Sequence, residues 1–289
     1  MAESEAAAAA QRSAAAAGEN GREAAVAGAS VLFVGDVVGA IGRDTLLDCL
    51  PILRERHAPT FVVVNGENAA GGLGITPKIA DQLFAAGVDV ITLGNHTYHR
   101  REIYPYLDAG KPILRPANFL RSQPGHGACM VEHDGVRLGV VNLSGNVFLR
   151  AGRSAFSEVE TALGQVSEAD HVLVDMHAEA TSEKVALGWH LDGRVTAVVG
   201  THTHVPTADA RVLPGGTAYI TDVGMTGPRG GVIGVKREQA IESLLTQMPT
   251  RFETSEEDPC LMAVLIRCSG RRHAGSIEQV LMPRPAHEL

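Results

Sequence analysis

Five short apolar runs in this chain each end in side chains able to hold a cation. Val31-Leu32-Phe33-Val34 ends in Gly35-Asp36, and Phe61-Val62-Val63-Val64 ends in Asn65-Gly66-Glu67-Asn68. Val88 to Leu93 ends in Gly94-Asn95-His96, Val172 to Met176 in His177, and Thr196 to Val199 in Gly200-Thr201-His202-Thr203-His204. Each group alone has an ordinary explanation: Asp36 could cap a helix, Asn68 could hold a turn, and a lone histidine is commonly a core or surface residue. Their shared placement is the informative feature, because the carboxyl ends of strands in open α/β sheets line the ligand crevice. Carboxylate, carboxamide and imidazole together suit manganese, iron or zinc, and the lack of thiolate argues against a structural cysteine-type zinc site. A carboxylate bridging such groups can hold two cations about 3.5–4 Å apart, with a phosphate and a hydroxide between them.

The elements that must position these groups follow a β-α rhythm. A helix over Thr45 to His57 follows the first strand, with Pro51 expected to kink or end it. Thr76-Pro77 reads as a helix start, with Thr as N-cap and Pro at the first helical position. Further helices are expected over Arg100 to Ala109, Ser182 to Leu191 and around Glu238 to Gln247. Asp134-Gly135 between Cys129–Glu132 and Leu138–Asn142 reads as a hairpin turn. Late strands are expected at Ala218 to Thr221, Leu261 to Arg267 and Ile277 to Leu281. Early β-α units with later, partly antiparallel strands predict mixed sheets with helices outside.

Composition bounds the partners. The 289 residues are 45% hydrophobic but only 4% aromatic, so aliphatic side chains must fill the core. A formal net charge of −8 excludes a broad electrostatic surface for nucleic acid or an anionic membrane. It leaves room for a small phosphate ligand, since a metal supplies local positive charge. Cys49, Cys129, Cys260 and Cys268 show no paired spacing, which predicts reduced thiols in a cytoplasmic protein. No run reaches the ~18 apolar residues of a membrane span. Residues 1–30 form an Ala-rich, low-complexity extension, expected to be disordered and outside a folded domain over residues 31–284. Its mixed charges fit neither a secretory signal nor a mitochondrial presequence.

In their order, Gly35-Asp36, Asn65-Gly66-Glu67-Asn68, Gly94-Asn95-His96 and Gly200 to His204 resemble the signature of calcineurin-like metallophosphoesterases. The resemblance is closer to the bacterial YmdB-like branch, which has Glu-Asn at the second motif and no histidine two residues after the first aspartate; Val38 stands there. His177 to Lys184, Thr203 to Asp209 and Ile220 to Pro228 extend the likeness, which runs from Val31 to Leu281. It implies a four-layer α-β-β-α sandwich of two mixed sheets. It also implies two divalent transition-metal ions, iron or manganese with zinc as the alternative. One ion is held by Asp36, Glu67, Asn68 and His204, the other by Glu67, Asn95, His177 and His202. His96 is the implied catalytic group, protonating the leaving oxygen or stabilising the charged phosphorane. The implied activity is hydrolysis of 2′,3′-cyclic nucleotides by in-line attack of a metal-bridging hydroxide, in a homo-oligomer. Two departures are plain: His99 stands where the branch has an acid, and Arg229-Gly230 where it has an aromatic and an acid.

Other readings compete. A phosphomonoesterase or 5′-nucleotidase would use the same metal core, and a nucleotide-binding regulator would need the ligands but not His96. A dinucleotide fold is disfavoured, because Gly35, Gly39 and Gly42 do not make GxGxxG and Asp36 would repel a pyrophosphate. Ser144 lacks the flanking glycines of a nucleophile elbow.

Overall fold

Residues 21–286 are described by a computed structural model. Residues 21–28 are helical (α1) and lead into β1 (Ser30–Val34) and β2 (Asp36–Val37). There follow α2 (Gly39–His57), β3 (Phe61–Asn65), α3 (Pro77–Ala85), β4 (Val90–Thr92), a short helix α4 (Tyr104–Leu107) and β5 (Ile113–Leu114). The hairpin β6 (Ala128–His133) and β7 (Val136–Ser144) precedes α5 (Ala155–Gln165), β8 (His171–His177), α6 (Thr181–Leu191) and β9 (Ala197–Thr201). The chain ends through β10 (Arg211–Val212), β11 (Ala218–Ile220), β12 (Met225–Pro228), α7 (Arg237–Thr246), β13 (Pro259–Gly270) and β14 (His273–Pro283).

Two mixed sheets result. The first runs β2-β12-β13-β1-β3-β4-β5, with β14 also on β13; the second runs β10-β11-β9-β8-β7-β6. The alternation of side chains along β1 shows why they stack. Val31 and Phe33 point into a core that also holds Leu138, Val140 and Leu173 of the second sheet. Leu32 and Val34 point the other way, onto Leu46, Leu50 and Leu53 of α2. On the far side, Val172 and Val174 of β8 pack on Val159 of α5 and Leu187 of α6. Strands apolar on both faces can only be interior layers, so the order is helix, sheet, sheet, helix. This is the four-layer sandwich expected.

Several local expectations hold, and some shift. Thr76 accepts a hydrogen bond from the Ile79 amide as N-cap of α3. Asp134 and Gly135 both take positive φ, 50° and 78°, as a two-residue hairpin requires. The helix α2 begins at Gly39 rather than Thr45 and runs unbroken through Pro51. Pro51 is exposed, so the Leu47 carbonyl that it leaves unpaired lies on a face water can reach. The expected helix over Arg100 to Ala109 is only a 3-10 turn at Arg101–Ile103 followed by α4.

Of the extension expected over residues 1–30, residues 1–20 lie outside the described part. The remainder is docked: Val26 and Ala29 are 7% and 3% exposed and belong to the core between the sheets. Arg22 bonds Asp170 at 2.9 Å, and the Val26 carbonyl meets His171 Nε2 at 2.8 Å. Apolar contacts too sparse to read as a pattern suffice once a strand end offers a surface. Among the described residues, no helix is long and apolar enough to cross a membrane.

Candidate metal centre

The parallel strands of both sheets point their carboxyl ends to one edge, where the motif residues meet. Asp36 follows β1 after Gly35, whose amide bonds Met262 O at 2.9 Å. A Cβ on Gly35 would fall 2.0 Å from Gly224 O, so no other residue lets the chain turn there. Glu67 follows β3, its amide bonded to Asn65 Oδ1 at 3.1 Å. Asn95 and His96 follow β4 through Gly94, where a Cβ would stand 2.3 Å from His177 Nε2 and 2.4 Å from Glu67 Oε2. His177 ends β8, and His202 comes just after β9.

His177 Nε2 is the centre of the arrangement. It lies 3.0 Å from Glu67 Oε1, 2.9 Å from Asn95 Oδ1 and 3.1 Å from His202 Nδ1. One ring nitrogen offers at most one proton, so it cannot satisfy all three neighbours. A cation placed among lone pairs can. Glu67, His177 and His202 each present a ligand atom within 4.8 Å of the others, the spacing of a divalent-metal site. Asp36 Oδ1 is 3.8 Å from His177 Nδ1, and Asp36 Oδ2 accepts the His202 amide at 3.1 Å. Asp36 Oδ1 and Asn68 Oδ1 are buried without a hydrogen-bond partner. Such oxygens are costly unless something coordinates them. The residues fit divalent cations.

The charges respond to this crowding. Burial would raise Glu67, but His177 outweighs it and holds the carboxyl at about 2. Burial would lower His177, yet Glu67, Asp36 and Asp175 lift it to about 9. His202 falls to about 3, through burial and then the neighbouring His177. Asp36 is raised, chiefly by burial.

A second layer holds the ligand face, and most of it escaped the sequence reading. His177 Nδ1 meets Thr201 Oγ1 at 2.9 Å, and that hydroxyl donates to Asp175 Oδ1 at 2.7 Å. Asp175 also accepts from Thr92 Oγ1 at 2.6 Å and Asn65 Nδ2 at 3.2 Å. This fixes the ring of His177 with Nε2 toward the cluster. The signal was present: in His171-Val172-Leu173-Val174-Asp175-Met176-His177, alternation puts Asp175 on the inward face beside Leu173 and His177.

Lys184 and Asp222 form a fully buried ion pair of 2.7 Å, with side chains 0% and 1% exposed. Asp222 Oδ2 also accepts the amide and hydroxyl of Thr203, at 3.1 and 2.8 Å. Thr203 separates His202 and His204, whose φ values are 100° and 65°. Positive φ is strained for a histidine and persists only where neighbours fix it. The pair Lys184–Asp222 provides that fixing. Both residues fall inside motifs of the sequence, but nothing in their spacing reveals that they touch.

The remaining candidates stand around this centre. His96 is half-buried, its amide donating to Glu67 Oε2 at 2.9 Å and its Nε2 3.3 Å from Asn95 Nδ2. Burial first, then His99 and His177, lower its pKa against the opposing effect of Glu67. His99, at the first departure, turns its Nδ1 to His96 Nδ1 at 3.3 Å with the rings edge to face. Asn68 donates to Gly72 O at 2.8 Å, and His204 Nδ1 donates to Ile233 O at 2.8 Å. These two are joined to loops rather than to the Glu67–His177–His202 cluster. Arg229, at the second departure, pairs with Asp258 at 2.7 Å on the surface.

Known proteins resemble this chain in sequence and in fold. A family model described as YmdB-like protein matches residues 32–280. A protein of Bacillus subtilis (strain 168) named 2′,3′-cyclic-nucleotide 2′-phosphodiesterase is 46% identical over 254 residues, spanning 87% of this chain and 96% of the relative. The crystal structure of a hypothetical protein from Thermus thermophilus superposes with a TM-score of 0.83 at 40% identity, covering 89% of this chain and 100% of that one. That of a novel phosphatase from Mycoplasma pneumoniae gives 0.82 at 34% identity, covering 89% and 94%.

Proposed function

The chain belongs to the YmdB-like family, and from that premise we propose that it hydrolyses 2′,3′-cyclic nucleotides with the help of two divalent transition-metal ions, iron or manganese, or zinc. One ion is assigned to Asp36, Glu67, Asn68 and His204, the other to Glu67, Asn95, His177 and His202, with Glu67 shared. The observation that carries the reading is the convergence of Glu67, Asn95 and His202 on His177 Nε2 at 2.9–3.1 Å. When bound, the ions neutralise phosphate oxygens and make water a stronger acid at neutral pH.

The chain's own residues do the rest. Water adds to phosphorus opposite the 2′ oxygen and releases one proton to solvent, the P–O2′ bond breaks, and a nucleoside 3′-phosphate remains. The departing 2′ oxygen needs one proton, and His96 delivers it from beside Asn95. Asp175 and Thr201 keep His177 in one tautomer, while Lys184 and Asp222 keep His202 and His204 in place. The Gly94 turn brings Asn95 and His96 close to Glu67.

The test is a substrate panel on metal-stripped protein, restored with Mn2+, Fe2+ or Zn2+. Cyclic nucleotides should be cleaved to the 3′-phosphate far faster than 5′-nucleotides release phosphate. Faster release from 5′-nucleotides would make the protein a monoesterase instead. The same reading carries a homo-oligomer in the cytoplasm. Burial keeps the thiols of Cys49 and Cys268 high, at about 11 and 12, as for unreactive core cysteines.

A further inference from the structure

Beside the metal centre runs a groove of about 430 Å³ whose lining includes Val38, Leu73, Val232, Leu244 and Phe252. Its volume lies in the range of small-molecule sites. Among the described residues, His204 is the only ionisable one in the lining, and it is itself an assigned metal ligand. The other large grooves of the molecule differ in this respect: one of about 530 Å³ is lined by Arg22, Glu23, Arg137, Glu168, Asp170 and Arg271. Leu244 and Phe252 are 78% and 51% exposed, so the groove has an apolar rim open to solvent.

The groove is also wired to the candidate ligands. Its lining includes Gly72, whose carbonyl accepts from Asn68 Nδ2 at 2.8 Å. It includes Ile233 as well, whose carbonyl meets His204 Nδ1 at 2.8 Å. Ile233 holds a positive φ of 46°, unusual for a β-branched residue, and so turns that carbonyl at a cost in strain. Both contacts are made by residues assigned to the same ion, and Asn68 keeps a buried oxygen without a partner.

We infer that this groove receives the nucleobase of the substrate while the phosphate lies at the metal centre, with Phe252 and Leu244 as specificity-determining residues. The inference rests on the proposed diesterase reading and adds to it the place of the base. An assigned metal ligand, His204, in a lining that is otherwise uncharged and mostly apolar matches a molecule whose phosphate lies at the metal centre and whose neutral, flat ring system lies in the groove. Phe252 offers an aromatic face for the ring, and stacking of this kind needs no particular base sequence of donors.

The experiment compares adenosine 2′,3′-cyclic phosphate with abasic ribose 2′,3′-cyclic phosphate, which share the reacting ring. Wild-type protein loaded with Mn2+ should favour the base-bearing diester in kcat/KM. Phe252→Ala and Leu244→Ser should each reduce that preference about tenfold, mainly through KM, and Phe252→Tyr should restore it. Leu245→Ser, on the same helix but outside the groove, should keep the wild-type preference. Equilibrium binding of adenosine 3′-phosphate against ribose 3-phosphate reads the groove whether or not the diester turns over. Loss of turnover on both diesters with base-dependent binding intact would reject the diesterase reading alone. An unchanged preference in Phe252→Ala and Leu244→Ser would overturn the groove assignment. So would a change of oligomeric state in these variants, which would make the face an interface between copies.

Discussion

His177 and His204 both lie at the carboxyl edge of the second sheet, yet they are held by opposite means. His177 is 0% exposed, fixed through Thr201 to Asp175, and surrounded by Glu67, Asn95 and His202. His204 is only half-buried, hangs on a loop after the strand, and donates its Nδ1 proton to the Ile233 carbonyl of a neighbouring loop. In the proposed arrangement, the half around His177 is braced by the protein's own side chains. The other half shares its supports with the groove that opens to solvent. Preorganised ligands bind with less reorganisation, so the buried half should hold its ion more tightly.

The largest effect should come from Glu67, the residue proposed to serve both ions. Glu67→Ala should remove both ions by elemental analysis and take turnover with them. A variant that retained both ions would show that Glu67 does not bridge. Next, His177→Ala and His204→Ala should separate the halves. The first should lose the tightly held ion, and the second should keep one ion per chain and lose the weaker. Titration of metal into stripped protein resolves the two affinities, and equal losses in both variants would erase the distinction drawn above.

His96 should sit lower on the scale, because it contacts the cluster without being assigned as a ligand. His96→Ala should keep its metals while turnover falls about 10²–10⁴-fold. A nitrophenyl ester, whose leaving group departs without a proton, should be affected less. Metal loss in step with activity would instead make His96 a ligand, and equal survival on both substrates would move the acid role, with His99 3.3 Å away as the nearest alternative.

Lys184→Met tests the support rather than the ligands. It leaves the Asp222 carboxylate buried and unpaired, which typically costs about 3–5 kcal/mol of stability. Metal affinity should fall about 10–100-fold, as for other groups that orient ligands. Adding Asp222→Asn should recover part of the stability but not the affinity, since Thr203 loses its charged acceptor. Recovery of both would reduce the pair to a packing role.

The smallest effect concerns Arg22 and Asp170. Burial would raise Asp170, but the Arg137 amide and the Arg22 and Arg137 guanidinium groups outweigh it and hold the carboxyl below its ordinary value. Its stabilisation is complete above the ordinary carboxylate pKa and is lost as pH falls through the lowered one. Arg22→Ala should cost within about 1 kcal/mol at neutral pH, since Arg22 is half-exposed. Thermal melts should show that difference closing in acid.

These contrasts also separate what was legible in the sequence from what was not. The strand ends carrying Asp36, Glu67, Asn95, His177 and His202 could be read because each follows an apolar run, and sheet geometry alone gathers such ends. The layer order could be read because runs such as Phe61 to Val64 have no polar face. Lys184 and Asp222 could not, because a helix and a loop 38 residues apart meet only through the fold. The docking of residues 21–28 was equally hidden: of these residues Val26 is the one that enters the core between the sheets, and one apolar residue in an Ala-rich stretch makes no period. The groove was hidden for a different reason, since its walls come from five loop segments and one helix with no shared pattern.

The position of β13 has a consequence for how the molecule comes into being. This strand lies beside β1, pairing Ser30–Val34 with Ala263–Arg267, and its Met262 carbonyl takes the amide of Gly35. The first carboxylate of the centre is thus seated by a segment synthesised more than two hundred residues later. A growing chain on the ribosome can assemble the parallel pairs β1–β3 and β3–β4 early, but the edge that β13 will fill stays open until the end. Closure of so long a loop is slow. The nascent chain carries an unpaired apolar strand edge throughout that wait, the period in which it is most exposed to aggregation and most dependent on chaperones.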